Sequence, residues 1–290
     1  MPIRDTWKSL LNGPTVRRPS RRLMLFGAST AAALGVIASG IKSSLAQPSV
    51  LSLRDYELTF SDEFDEAHLS LPEFQKKWYT HTPWWGDFGD AQFVDPSEGF
   101  PFTIADGCLR IEARKDQSGK WRSGLVASVN HQQQGFTQLH GYFEIRAKLP
   151  PGLGVWPAFW LAAVVPPDST DDGFEIDVFE YYGQFPDTYH TTTIVWPHDK
   201  SKSRGEHNVH YVPKGSLCDA FHTYGISVES DFIIQYLDGV ETWRTPTPPE
   251  HKHPMMVLAN LALGSGWPIK DTINPSYLQI DYIRVYRRKV

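Results

Sequence analysis

The sequence has only two cysteines, Cys108 and Cys218, among 290 residues. Structural zinc sites need several cysteine and histidine ligands at short spacings, and no such spacing occurs here. One disulfide and two buried thiols are both compatible with these cysteines. Neither zinc nor a disulfide is needed for a stable fold, because a chain of 290 residues that is 41% hydrophobic can bury one sizeable core.

Long amphipathic helical patterns, internal repeats and low-complexity tracts are also missing after residue 54. Their absence excludes a helical bundle and a solenoid. The chain instead has 22 glycines, 22 prolines and 10 tryptophans. Glycine and proline at this frequency are typical of many turns between short strands. Exposed tryptophans often bind sugar rings, although most of the ten are expected in the core.

Residues 1–46 have a composition unlike the rest of the chain. A basic beginning leads to the arginine pair at 21–22, the apolar stretch 23–41 and small residues at the −3 and −1 positions before Gln47. This pattern predicts a secretory signal that is removed on maturation, and residues 20–25 resemble a twin-arginine motif. A membrane anchor is the alternative, but the many Gly, Ala and Ser make the stretch weakly apolar. We therefore predict export without stable membrane association.

The remaining chain is acidic. Seven of the 28 basic residues and one of the 33 acidic residues precede Gln47, which leaves 21 and 32 and a net charge of −11. A surface of this sign repels phosphate groups, so nucleic acid and anionic lipid are excluded as partners. We expect a monomer, and a substrate that is neutral or is contacted away from the acidic surface.

The mature chain contains short strands separated by turn signals, after a linker at 47–54. Alternating or β-branched segments mark the strands, and an Asp-Gly turn follows one of them. The clearest segments are residues 109–114, 141–149, 232–239 and 278–286. Residues 55–290 are therefore predicted to form one all-β domain, a sandwich of two antiparallel sheets.

Three acidic residues lie close together in one predicted strand. Glu175 and Asp177 project from the same face because side chains alternate along a strand. Strict alternation would put Glu180 on the opposite face, among apolar packing residues, which is costly for a charge. One extra residue between Asp177 and Glu180, a β-bulge, would return Glu180 to the face of its partners. The sequence therefore predicts a bulge at this point.

Carboxylates that share a face repel one another, and pKa tuning at a catalytic site is the usual reason for accepting that cost. A like charge and partial desolvation raise the pKa of one carboxyl group so that it donates a proton, while another stays ionised and attacks. Two such groups about 5–5.5 Å apart give retention through a covalent glycosyl-enzyme. A solvent-facing acidic strand and a calcium site are the alternatives for so short a pattern.

The segment from Glu175 to Glu180 resembles the catalytic strand of glycoside hydrolase family 16 in its bulged, laminarinase-like form. Further segments resemble the family in the family's order, so that the resemblance covers about residues 56–287. They are residues 58–65, 121–124 with Ser128, 141–148, 154–161, 221–224, 238–239 and 280–286.

This resemblance implies a concanavalin-like β-jelly roll with an open cleft across its concave face. It assigns Glu175 as nucleophile, Asp177 as its electrostatic helper and Glu180 as general acid/base, with no cofactor required. An open cleft binds a polymer in mid-chain, so cleavage would be endo. The implied substrate-binding residues are Trp156, Trp160, His190, Trp267 and one of the pair Trp84 and Trp85, with Trp85 preferred. A purely structural role is the alternative for Trp156, Trp160 and His190.

The resemblance also implies a stabilising calcium ion, held by Glu63, the carbonyl of Gly107 and Asp281. Three segments do not resemble the common laminarinase loops: 79–102, 131–134 and 200–204. Loops line the ends of a cleft, so the substrate stays open: a β-1,3-glucan, a mixed β-1,3/1,4-glucan or a related exopolysaccharide. A non-catalytic carbohydrate-binding protein and a transglycosylase are the alternatives in function.

Overall fold

The computed structural model describes residues 50–65, 69–84 and 86–289. The predicted signal at 1–46 and Trp85 lie outside the described residues. Within the described part, no helix is long and apolar enough to cross a membrane.

Strands dominate the described chain, as the short alternating segments predict. In chain order they are β1 (Tyr56–Asp62), β2 (Gln92–Phe93), β3 (Phe102–Ala105), β4 (Cys108–Lys115), β5 (Trp121–Ser123), β6 (Leu125–Ala127), β7 (Gly141–Lys148), β8 (Val155–Ala163), β9 (Gly173–Glu180), β10 (Thr188–Trp196), β11 (Arg204–Tyr211), β12 (His222–Val228), β13 (Phe232–Leu237), β14 (Val240–Pro246), β15 (Met255–Leu263) and β16 (Ser276–Arg288). The short helices are α1 (Leu71–Lys77), α2 (Ser216–Asp219) and a 3₁₀ turn at Lys200–Lys202.

The strands form two sheets. The larger sheet follows the order β14-β13-β12-β7-β16-β4-β5-β2, with β1 paired to β16 and β3 paired to β4. The smaller sheet has six strands in the order β11-β10-β9-β8-β15-β6. Neighbouring strands are antiparallel, except that β2 runs parallel to β5. The architecture is the predicted β-jelly-roll sandwich.

The main core lies between the sheets, and alternation separates it from the outer face of the six-stranded sheet. On β8, Val155, Phe159 and Leu161 join the core between the sheets. Trp156 and Trp160 point the other way and join a separate cluster on the outer face. The outer face of the six-stranded sheet therefore carries its own aromatic layer, and it is the face on which the acidic residues of β9 lie.

The segment at the start of the described chain is attached to the larger sheet. Val50 forms a bridge with Val240, and the backbone N–H of Leu51 donates to the carbonyl of Gly239 at 2.9 Å. Leu51 and Leu53 pack against a small aromatic cluster. The described part of the predicted linker at 47–54 thus contacts the sandwich.

Neither cysteine is in a disulfide. Cys108 is buried on β4, and Cys218 is half-buried in α2, where its Sγ lies 3.4 Å from the Tyr181 hydroxyl. Of the two alternatives that the sequence allows, the structure has two separate thiols.

Candidate active site

A β-bulge interrupts β9 where the sequence predicts one. Between Asp177 and Glu180, β9 has two residues where each neighbouring strand has one. These two, Val178 and Phe179, are both completely buried between the sheets. Because successive side chains turn inward here, Glu180 returns to the face that carries Glu175 and Asp177.

The strand register sets what lies beside each carboxyl group. Strand β9 lies between β8 and β10, and each of the three acidic residues has one partner on each of these strands. All three acidic side chains face the same side of the sheet. Glu180 pairs with Ala158 and His190, Asp177 with Trp160 and Thr192, and Glu175 with Ala162 and Ile194.

Glu180 is only 2% exposed, and its two carboxyl oxygens have different surroundings. Trp156 Nε1 donates to Oε1 at 2.9 Å, and the Tyr182 hydroxyl donates to the same oxygen at 3.1 Å. The other oxygen, Oε2, is buried and has no partner among the described residues. Two donors thus hold the carboxyl group in place and leave one oxygen for exchange of a proton.

Glu175 is half-buried at the other end of the acidic row. Trp196 Nε1 donates to its Oε2 at 2.9 Å. The Lys200 ammonium lies 5.5 Å from the centre of the Trp196 ring, and its positive charge acts on Glu175. Both groups favour the ionised carboxylate, which is the form that a nucleophile needs.

Burial raises the pKa of both end carboxyl groups, to about 7 for Glu175 and about 7 for Glu180. The hydrogen bond from Trp196 and the charge of Lys200 oppose the shift at Glu175, and the hydrogen bonds from Trp156 and Tyr182 oppose it at Glu180. The charge of Glu175 raises the pKa of Glu180 further. The two groups can therefore share one proton near neutral pH, as a nucleophile and acid pair requires.

Asp177, between them, is 4% exposed, and its Oδ2 has no partner in the described part of the chain. Burial raises its pKa well above the ordinary value, and the charges of Glu180 and Glu175 raise it further. The carboxyl group is therefore expensive for the fold to keep.

Asp177→Asn is expected to stabilise the protein, by about 1–3 kcal/mol at pH 8. Because the pKa of Asp177 is raised on folding, the wild type loses stability as the pH rises above about 4, the ordinary pKa of Asp. Asn avoids that cost, so its advantage grows from pH 5 to pH 8. Thermal melts at both values test this, with about 2–4 °C in Tm expected per kcal/mol.

Asp171→Asn is the control, since Asp171 is paired with Lys252 at 2.8 Å and should gain nothing. No gain for Asp177→Asn at pH 8 would contradict the cost assigned to this group.

Trp156 and Trp160 share the outer face of the six-stranded sheet, and both are nearly buried, at 8% and 6% exposure. Phe88 covers them, with ring centres 5.5 Å and 6.0 Å away. The indole N–H of Trp156 is used on Glu180, and that of Trp160 donates to Asn260 Oδ1 at 2.9 Å. Trp156 therefore holds Glu180, and Trp160 lies beside Asp177 on the next strand. Contact of either tryptophan with sugar stays a prediction.

Two other tryptophans, Trp84 and Trp267, are more exposed and lie at the edges of this face. Trp84 is 49% exposed, and its ring centre lies 5.7 Å from that of Trp160. Trp267 is half-exposed and contacts Phe185 edge-on at 5.2 Å. Both expose ring surface of the kind that stacks on sugars.

The sequence did not indicate the residues that hold the carboxyl groups. Trp196, Tyr182 and Asn260 each bond to a residue of the site, and His207 bonds to the predicted site residue His190. One signal was available for Trp196. It is separated from His190 by an even number of positions on one strand, and alternation therefore predicts that both side chains lie on the same face.

The residues predicted to bind calcium are engaged with arginines instead. Arg284 donates to both carboxylate oxygens of Glu63, at 3.0 Å and 2.6 Å, and Asp281 forms an ion pair with Arg146. Gly107 lies in the turn between β3 and β4, in the left-handed conformation. Calcium needs several oxygen ligands, so an ion here would have to displace these arginines from the carboxylates. The calcium site stays a prediction, which the effect of calcium on Tm would test.

The chain and its fold are similar to known proteins. Residues 98–284 match the family described as Glycosyl hydrolases family 16. The chain is 31% identical over 252 residues to the endo-1,3-1,4-beta-glycanase ExsH of Rhizobium meliloti (strain 1021), covering 79% of this chain and 51% of that protein. It is 31% identical over 257 residues to a beta-glucanase of Rhodothermus marinus, covering 80% and 85%. The chain thus spans about half the length of the Rhizobium relative.

A solved structure has the same architecture. The catalytic domain of an endo-1,3-beta-glucanase (laminarinase) from Thermotoga petrophila RKU-1 matches with a TM-score of 0.64 and 28% identity, covering 81% of this chain and 99% of that one. The two sheets and the bulged acidic strand therefore define a jelly-roll protein of the laminarinase-like type. The chain belongs to glycoside hydrolase family 16, as its motifs predict.

Proposed function

We propose that this protein is a retaining endo-β-glycanase that hydrolyses glycosidic bonds in a polysaccharide by double displacement. Glu175 is the nucleophile, Asp177 its electrostatic helper and Glu180 the general acid/base. The observation that carries the proposal is the bulge in β9, which brings Glu180 onto the face of Glu175 and Asp177. A strand that only needed stability would gain nothing from a row of buried, mutually repelling carboxyl groups.

The proposed reaction has two steps that use these residues in turn. First, a carboxylate oxygen of Glu175 attacks the anomeric carbon while Glu180 gives its proton to the departing glycosidic oxygen. The leaving chain departs, and a covalent glycosyl-enzyme remains. Then Glu180 takes a proton from water, the resulting hydroxide oxygen bonds to the anomeric carbon, and Glu175 is released as a carboxylate.

The surroundings of Glu180 support its part in both steps. Trp156 and Tyr182 fix Oε1, so the proton that is exchanged belongs to the free Oε2. A pKa raised to about 7 by burial leaves a substantial share of the group protonated up to neutral pH, as the first step needs. Loss of that proton in the first step then supplies the base that the second step needs.

A β-glucan with β-1,3 or mixed β-1,3/1,4 linkages, or a related exopolysaccharide, is the proposed substrate. The relatives named endo-1,3-1,4-beta-glycanase and beta-glucanase support it, as does the neighbour named endo-1,3-beta-glucanase. Cleavage within the chain, rather than from its end, is supported by the two of these names that contain the term endo. Exposed aromatic side chains at the edges of the face, Trp84 and Trp267, are proposed to contact the polymer.

Export and a monomeric state belong to the same proposal. A polysaccharide outside the cell can be reached only by an exported hydrolase. The basic, arginine-paired beginning of the chain supports a twin-arginine signal. Mass spectrometry of the protein secreted by a bacterial host measures this, with a mature chain beginning at Gln47 expected.

Chromatography of the products from laminarin, lichenan and a panel of exopolysaccharides tests the proposed function. We expect a ladder of short oligosaccharides early in the reaction, and proton NMR of the first product should show the β-anomer. Binding to every polysaccharide without product would favour a carbohydrate-binding protein. Products longer than the starting oligosaccharides would favour transglycosylation, because a sugar hydroxyl then resolves the same intermediate.

A further inference from the structure

Two histidines on adjacent strands hydrogen-bond each other beside Glu180. His190 lies on β10 at the position paired with Glu180, and His207 lies on the edge strand β11 at the position paired with Thr192. His190 Nδ1 and His207 Nε2 are 2.9 Å apart, and the two ring centres are 5.1 Å apart. The edge strand is thereby connected to the residue that pairs with Glu180, the group proposed as acid/base.

Both imidazoles are neutral in the folded protein near neutral pH. Burial lowers the pKa of His190 to about 3, and the nearby His207 and His210 lower it further. Burial also lowers the pKa of His207. A neutral imidazole has one N–H and one lone pair, so the hydrogen bond between the two rings contains a single proton. Either His207 donates it to His190, or His190 donates it to His207.

The surroundings of the second nitrogen of His190 favour donation by His207. His190 Nε2 is buried without a partner in the described residues, and so is Oε2 of Glu180 on the paired strand. Tyr182 packs edge-on against His190 at 5.0 Å, but its hydroxyl is used on the other oxygen of Glu180. An ionised carboxylate only accepts hydrogen bonds. Once Glu180 is ionised, an N–H at His190 Nε2 therefore suits this place better than a lone pair, because the residue paired with His190 then offers only acceptors.

We propose that His207 is a positioning residue that holds His190 in one tautomer. By donating from Nε2 to His190 Nδ1, His207 keeps the proton of His190 on Nε2. His190 then donates a hydrogen bond toward Oε2 of Glu180 once that oxygen has given its proton to the leaving group. The proposal rests on the acid/base role proposed for Glu180, and His207 acts only through His190.

His207→Leu tests this on the full mature chain, because Leu fills space but donates no hydrogen bond. The expected kcat on laminarin falls about 10- to 100-fold, the range seen when a partner that orients a histidine is lost at metal sites, while KM changes little. The alkaline limb of the pH profile moves to higher pH, because ionised Glu180 loses a donor and its pKa rises. The titratable groups around His190 are Glu180, its partner on β9, Tyr182, which follows β9 and packs against the ring, and the two histidines of β11.

His207→Gln is the conservative variant, since its side-chain N–H can replace Nε2 of the imidazole. It should restore most of the activity and return the alkaline limb to the wild-type position. If Gln behaves like Leu at this position, donation to His190 is not what matters, and the proposal is wrong.

His210→Gln is the matched control on the same strand. The His210 ring faces the core side of the sheet, where it stacks on Tyr189 at 4.4 Å and lies 2.9 Å from the Thr191 hydroxyl. This variant should lower Tm without moving the pH profile. A shift of the alkaline limb equal to that of His207→Leu would show that the effect comes from general loosening of β11.

Nitrogen-15 NMR of the histidine side chains gives a readout that does not depend on activity. We expect His190 of the wild type to be protonated at Nε2 at pH 8, where Glu180 is mostly ionised, and protonation at Nδ1 would overturn the proposal. Failure of this proposal can be told apart from failure of the proposed function. Wild-type rates in Glu180→Ala would remove the acid/base role and leave the tautomer as measured.

Discussion

Glu175→Ala is expected to lower the rate of polymer hydrolysis by at least about 10⁴-fold, as loss of a catalytic nucleophile does in other hydrolases. The reason is that no other carboxylate on this face can take its place. Asp177 and Glu180 are nearly buried, at 4% and 2% exposure, whereas Glu175 is half-buried and the charge of Lys200 favours its ionised form. Reducing-sugar release from laminarin and from the substrate identified by the product panel measures the loss.

Azide sharpens the test of Glu175. A small anion that enters the space left by the side chain attacks the anomeric carbon from the same side, so any glycosyl azide formed has inverted configuration. Glu206→Ala, which removes an exposed carboxylate from the edge strand β11 of the same sheet, is the control and should keep the wild-type rate. A retained glycosyl azide from Glu175→Ala, or unchanged hydrolysis, would mean that another group is the nucleophile.

Glu180→Ala is expected to separate the two steps of the reaction. On natural polymer the rate should fall about 10²–10⁴-fold, because the leaving chain no longer receives a proton. An aryl glycoside with a good leaving group needs no such proton, so its first step should stay fast and the glycosyl-enzyme should accumulate. Azide needs no base, and it should then release a glycosyl azide of retained configuration.

The pH profile gives an independent check on Glu180. In the wild type, activity on polymer should decline above about pH 7 as the acid ionises, since burial raises the pKa of Glu180 to about 7. Glu180→Ala should lose this alkaline limb on aryl glycosides. If Glu180→Ala hydrolyses polymer at the wild-type rate, the acid/base assignment has to be withdrawn.

Much of the fold follows from local pattern. Alternation and turn residues predict the strands at 109–114, 141–149 and 278–286, and the structure has β4, β7 and β16 there. The order of the strands was not predictable in this way, because pairing joins segments that are far apart in the chain. The last strand, for instance, lies in the middle of the larger sheet between β7 and β4, and it pairs with β1 as well.

The acidic row was predictable for a physical reason, and the groups around it were not. A charged Glu180 among core side chains is costly, so the sequence itself argues for the bulge. The partners of the carboxyl groups depend on how neighbouring strands are aligned. Trp196 reaches Glu175 from β10, and Trp156 reaches Glu180 from β8, through contacts that no spacing within β9 contains.

The bulge has a consequence for changes in the length of β9. Removing Val178 would leave Glu-Ile-Asp-Phe-Glu, in which plain alternation already presents all three acids on one side. The pairing of Glu180 with both neighbouring strands would be kept, because the extra residue has no counterpart on either of them. Loss of one residue elsewhere in the strand would turn the following side chains over. This strand can therefore tolerate a deletion at the bulge, so descendants with a shorter acidic motif could keep the same chemistry.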